Sequence, residues 1–311
     1  RITYMKHRRA FLSTALALAS LSLLAPAAYA HDVAAAAGPA KPLKVGVTLH
    51  PYYSWTKNVV GDAPVEVRSI LPGEIDVDDY QPNPADIQKI ADLDAIVVNA
   101  LGHDEVINKM IEASGNKKLV IIKVNEGTPL VKGAHGEAVN SHTFISFTNA
   151  IQQTYLIAKA LGALQPQSND KFQANAADYA KRLRAIKAKA AGELVNAKVH
   201  RVVTVHDGYT YLMQEFGFDI AGVVQPAHGL QPSAAELKDM VSLLKREHVK
   251  VVFAEDSFPE AMKKVLRDEG GARIYQITHI ATGQYTADKF EKDMQKNVDV
   301  MVEALVKDPN T

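Results

Sequence analysis

The chain has 311 residues, with 35 Lys and Arg against 35 Asp and Glu and no cysteine. Formal neutrality gives neither a nucleic acid nor an anionic membrane surface a charged face to bind. The missing thiols leave stability to a packed core and remove thiolate from the possible metal ligands.

Residues 1–30 read as an export signal. Lys6, Arg8 and Arg9 form a positive start, residues 11–24 an apolar stretch, and Ala28-Tyr29-Ala30 a small-x-small cleavage site. Residues ahead of Met5 read as extra sequence, and Arg8-Arg9 also resembles a twin-arginine export signal. No cysteine follows to carry a lipid anchor, so a periplasmic protein is expected. Residues 31–42, rich in Ala, read as a flexible tether.

The elements then alternate. A strand is predicted over 43–49, a helix over 53–60 and a strand over 65–71, closed by Pro72-Gly73. Asn83-Pro84-Ala85-Asp86 opens a helix, with Asn83 as N-cap, Pro84 in the first turn and Asp86 against the positive end of the dipole. Strands over 95–99 and 119–124 precede a helix over 147–161. From 169 to 197 one long helix is predicted, with Tyr179, Leu183, Ile186 and Leu194 at helical spacing. The pattern restarts with a strand over 201–205, a helix over 209–216 closed by Gly217, and a strand over 220–224. Ser233-Ala-Ala-Glu236 is a capping box opening a helix to 247. Strand 249–254, helix 259–269 ended by Gly270-Gly271, strand 272–278 and helix 287–305 complete the chain.

Strands alternating with helices predict an α/β fold of two lobes, each a mostly parallel sheet flanked by helices and joined by one long backbone helix. The first lobe is expected over 43–165, the linking helix over 166–198 and the second lobe over 199–311. After Ala30 no apolar run approaches the ~18 residues of a membrane span, so the mature protein is expected to be soluble and monomeric.

Four strand-like runs end on histidine: His50, His142, His206 and His279. Imidazoles at strand tips far apart in sequence point to one cleft, and imidazoles converging without cysteine suit a divalent transition metal. His103, after Gly102, is a fifth candidate, and Asp207 and Glu255 are candidates for orienting a ring. His31, His135, His200, His228 and His248 read as surface residues and Trp55 as packing. A metallohydrolase would need a general base beside bound water, often on a His-Glu-x-x-His helix, and the sequence has no such motif. An adhesin reading finds no repeats or stalk to support it.

Several segments carry a family resemblance. They are Leu71-Pro72-Gly73 with Asp78-Asp79-Tyr80-Gln81-Pro82, the run from Asp86 to Asp94, Asn99-Ala-Leu-Gly102, Ser141-His142-Thr-Phe with Asn149, Val205-His206-Asp207-Gly-Tyr-Thr-Tyr211, Pro232-Ser233 and Phe253-Ala-Glu255. Together they resemble the metal-binding solute receptors of bacterial ABC importers, the zinc and manganese receptors once called adhesion lipoproteins. The resemblance implies a non-enzymatic periplasmic receptor that holds a divalent metal between two lobes and delivers it to a membrane permease. Zinc is the expected ion. Iron(II) or manganese, or a metal-handling part of a siderophore system, is the alternative.

By the same resemblance His142 and His206 take the second and third ligand positions. The chain departs at the other two: Asp78 stands where the family has its first histidine, and Thr278-His279-Ile280-Ala281 where it has an aspartate. His279, and His103 or His50, are the expected compensating ligands, and Asp78 is itself a candidate ligand.

Overall fold

The computed structural model describes residues 41–75, 77, 80–134, 136–225 and 230–309. The export-signal and tether readings, and those made for Asp78, His31, His135 and His228, lie outside the described residues. In the first half, β1 (Leu43–Val47), α1 (His50–Val60), β2 (Val65–Ser69), α2 (Pro84–Gln88), β3 (Ala95–Val98), α3 (Val106–Ser114), β4 (Val120–Lys123) and α4 (Phe147–Leu164) follow in order. The long α5 (Asn169–Leu194) comes next. The second half holds β5 (Arg201–Thr204), α6 (Thr210–Glu215), β6 (Asp219–Val223), α7 (Ala234–Arg246), β7 (Val251–Ala254), α8 (Glu260–Asp268), β8 (Arg273–Gln276) and α9 (Lys289–Val302). The sequence reading missed α3, whose start is blurred by the polar turn ahead of it.

Each half forms one parallel four-stranded sheet, ordered β2-β1-β3-β4 and β6-β5-β7-β8. The two orders are the same, shifted by four strands. Burial follows that order: β3 and β7 are buried throughout, while the edge strands β2, β4, β6 and β8 alternate or open to solvent. Such continuous apolar runs are what strands covered on both faces require.

The local chemistry explains several boundaries. Asn83 Oδ1 accepts from the Asp86 N–H at 3.0 Å, and Ser233 and Glu236 complete their capping box. Helix α5 has 26 residues and so runs for about 39 Å. Its buried face carries Phe172, Tyr179, Leu183 and Leu194.

The main hydrophobic core is shared between the halves. It contains Trp55, Phe144, Tyr179 and Leu183 together with Tyr209, Phe253, Phe290 and Met301. Trp55 is fully buried against Tyr52 and Phe290, as a packing residue should be. A smaller core under α7 and α8 belongs to the second half alone.

A polar seam reinforces the shared core. Ser54 Oγ donates to the Thr286 carbonyl at 2.8 Å, and Asn58 Nδ2 to the Ala287 carbonyl at 2.8 Å. The Gly283 N–H donates to the Gly73 carbonyl at 2.7 Å. A Cβ on Gly73 would lie 2.2 Å from the Gly283 oxygen, so this approach requires glycine.

Candidate metal centre

In open α/β sheets, ligands bind beyond the C-terminal strand ends where the strand order reverses. Here that point lies between β1 and β3 in one sheet and between β5 and β7 in the other. His103 follows β3, and His206 stands two residues past β5. His142 comes from the loop entering α4 and His279 from the segment after β8. Four imidazoles from both halves thus meet.

The ring centroids lie 4.8 Å apart for His103 and His142, 4.7 Å for His142 and His206, 4.5 Å for His206 and His279, and 5.0 Å for His142 and His279. His103, His142 and His279 each offer a ligand nitrogen within 4.8 Å of the others. His142 Nε2 and His206 Nε2 are 3.0 Å apart. Two nitrogens bound to one ion at ~2.05 Å would be about 2.9 Å apart at a right angle and about 3.3 Å at the tetrahedral angle. The observed spacing falls in that interval. All four residues are buried, and the Phe144 ring packs beneath His103, His142 and His279. Four neutral nitrogens without thiolate suit zinc, nickel, iron(II) or manganese.

Hydrogen bonds orient His142. Asn140 Oδ1 accepts from the His142 backbone N–H at 2.9 Å, which identifies it as the oxygen. The same oxygen lies 2.9 Å from His142 Nδ1, so Nδ1 donates to it and Nε2 is the nitrogen turned toward His206. His206 Nε2 lies opposite it, and a metal ion between the two would require both nitrogens to be free of protons. Asn140 also donates from Nδ2 to the Asp207 carbonyl at 3.0 Å, linking the two halves beside the site.

Two further networks set the rings. Asn99 Nδ2 donates to Tyr52 Oη and to the Ser141 carbonyl, both at 2.9 Å, which braces the turn bearing His103 against the loop bearing His142. Asn125 joins them, donating to the Asn99 carbonyl and accepting from Thr143 Oγ1. On the other side, Asn297 Oδ1 accepts from the Thr278 N–H at 2.8 Å and its Nδ2 donates to the Thr278 carbonyl at 2.9 Å.

Ala100 and Ile280, flanking these turns, have φ of 60° and 63°. For the β-branched Ile280 this left-handed backbone is strained by about 1–2 kcal/mol, and it directly follows His279. Gly208 leaves room for the rings: a Cβ there would sit 2.5 Å from His206 Cδ2 and 3.0 Å from His279 Cδ2.

The expectations for individual residues divide. His103, His142, His206 and His279 are brought together. His50 is not with them: it is the first residue of α1 rather than a strand tip, its Nε2 is held at 2.9 Å by the Gly283 carbonyl, and its ring stacks at 3.9 Å on Tyr285. His142 is likewise on a loop, not at a strand end.

Asp207 accepts from the Ala134 N–H and Thr210 Oγ1. Glu255 accepts from Tyr209 Oη at 2.5 Å, and the Tyr209 ring meets His206 edge-on, so this carboxylate stands one residue further out than expected. His200 and His248 are exposed. The bracing roles of Asn99, Asn140 and Asn297 escaped the sequence reading, since a buried amide leaves no periodic signal. A cleft of about 660 Å³, lined by His206, His279, Glu255, Asp256, Gln276 and Thr278 among others, opens beside the quartet.

Comparison with known proteins places the chain among metal-binding proteins of similar fold. Residues 45–304 match the family model of the zinc-uptake complex component A, periplasmic (ZnuA). The zinc-binding lipoprotein AdcA of Streptococcus pneumoniae is 26% identical over 244 residues, covering 74% of this chain and 48% of its own length. The chain therefore spans about half the length of that relative. A putative metal-binding protein of Treponema pallidum is 26% identical over 266 residues, covering 81% of this chain and 82% of its own. Among solved structures, FpvC of Pseudomonas aeruginosa in complex with Mn2+ superposes with a TM-score of 0.81 at 40% identity, over 85% of this chain and 98% of that one.

Proposed function

The chain belongs to the family of the periplasmic component A of zinc-uptake complexes, and from that premise we propose that it is a receptor that captures a divalent transition metal outside the cytoplasmic membrane and hands it to an ABC permease. Zinc is the proposed cargo. The observation that carries the reading is the 3.0 Å approach of His142 Nε2 to His206 Nε2, one from each half, with His103 and His279 closing round them.

A ring of neutral nitrogens binds tightly enough to scavenge, yet releases its ion when any one imidazole is displaced or protonated. Nothing in the quartet resembles a base poised over a metal-bound water, which favours carriage over hydrolysis. Export to the periplasm and action as a monomer are part of the same proposal. Among the described residues no helix is long and apolar enough to cross a membrane.

Purification without chelators followed by elemental analysis, with calorimetric titration of the metal-free protein, tests this. One equivalent of zinc bound tightly is expected, and no uptake of any first-row divalent ion would end the reading. A second reading, a receptor for manganese, nickel or iron(II), is favoured by the 40% identical FpvC, solved with Mn2+ and with Ni2+. Enrichment of one of those ions over zinc would establish it.

The shared core and the seam at Gly283 support a further expectation, that binding moves the halves only slightly. A large fall in the radius of gyration on adding metal, measured by X-ray scattering, would contradict it.

A further inference from the structure

We propose that Asp104 is the positioning and charge-balancing residue of the metal centre, an inference that rests on the quartet being that centre. The Asp104 side chain is buried, and its carboxylate meets three neutral donors. Thr48 Oγ1 donates to Oδ2 at 2.8 Å, the Asn99 N–H donates to Oδ2 at 2.7 Å, and the Ala100 N–H donates to Oδ1 at 3.1 Å. Among the described residues no lysine or arginine hydrogen-bonds to it. A buried carboxylate without a counter-ion is expensive to keep, and a neutral side chain could cap the same turn.

Two observations give the charge a purpose. The residue before Asp104 is His103, and imidazoles bind metal only as neutral donors, so a divalent ion among them would bring two positive charges into a buried site. A fixed negative charge on the adjoining residue offsets part of that in a medium of low dielectric. The Oδ1 contact also holds Ala100 in its left-handed conformation, with φ of 60°, and that turn carries His103 into the quartet. Asp104 touches no ligand nitrogen in this arrangement; it acts through the turn and through its field.

Charge and bracing are separable by comparing two imidazole-binding cations of different charge, Zn2+ and Ag+, in competition titrations of the full-length protein. In Asp104→Asn the Zn2+ affinity is expected to fall about tenfold to a hundredfold, the range seen for outer partners of metal ligands. The Ag+ affinity should change by less than about threefold. Asp104→Glu keeps the charge and should keep the wild-type ratio of the two affinities, even where both weaken. An equal loss for both cations in Asp104→Asn, or no loss, overturns the proposal. Should Asp104→Asn fail to fold, as judged by circular dichroism of the metal-free protein, Asp104→Glu decides alone: a fallen Zn2+ to Ag+ ratio overturns the proposal. Wild-type protein that takes up neither cation would instead overturn the metal-centre reading on which this stands.

Discussion

His50 and His142 are both buried imidazoles of the first half, yet the fold uses them in opposite ways. His50 gives its Nε2 hydrogen to a carbonyl and lies flat on Tyr285, so that edge of the ring is occupied by the seam between the halves. His142 gives its Nδ1 hydrogen to Asn140 and so directs Nε2 at His206. Burial and chain position do not tell these roles apart. What separates them is which nitrogen is tied down and where the other is aimed.

The sharpest way to break the comparison is to remove the paired nitrogens. His142→Ala with His206→Ala should abolish metal binding by calorimetry and the metal-dependent rise in melting temperature, which is several degrees when ion is in large excess. Retention of wild-type affinity in that double variant would show that the pair is only packing. Acid should act next most strongly. Ligand imidazoles must be neutral, so affinity is expected to drop at least about a hundredfold between pH 7.5 and 5, around the ordinary imidazole pKa of ~6.5.

The fold should survive that range. Hydrogen bonds from Lys44 and Arg68 lower the Asp92 carboxyl to about 2. A carboxylate depressed on folding contributes stability that is full above its unfolded pKa of ~3.9 and is lost only as pH falls toward 2. Circular dichroism unchanged at pH 5 while metal is released would bear this out, and coincident loss of both would not.

A smaller effect is expected for Gly208→Ala, whose new methyl must push on His206 and His279. Zinc affinity should weaken about tenfold with melting of the metal-free protein little changed. Smallest of all for metal is His50→Ala, where stoichiometry and affinity should hold while stability falls by about 1–3 kcal/mol from the carbonyl left unpaired and the lost stacking. Loss of metal in His50→Ala, by the same titration, would return His50 to the ligand set.

Much of this was legible in the chain. Strand and helix order followed from alternating apolar runs, and the capping residues Asn83 and Ser233 sat where their chemistry required. Of the candidate ligands, His103, His206 and His279 follow β3, β5 and β8 on the side where parallel sheets build sites, and His142 reaches them from the loop entering α4. His50 looked equivalent by the same rule and is not, since its fate depends on Gly283 and Tyr285, more than 230 residues away in sequence. The amides that orient the rings were harder to read, because Asn99 and Asn297 act through contacts that only the folded chain brings together, and Asn140, two residues from His142, has no pattern that marks its role. Helix α3 was missed for a local reason: Glu105 ahead of it offers no side-chain cap.

The core that runs unbroken from Trp55 through α5 to Met301 has a consequence for anyone who would dissect the molecule. Each half, expressed alone from a gene cut within α5, would present to water the greasy wall it normally hides against its sibling. Such fragments should precipitate singly and dissolve only when made together, so the two similar sheets are not a pair of portable modules but one indivisible object.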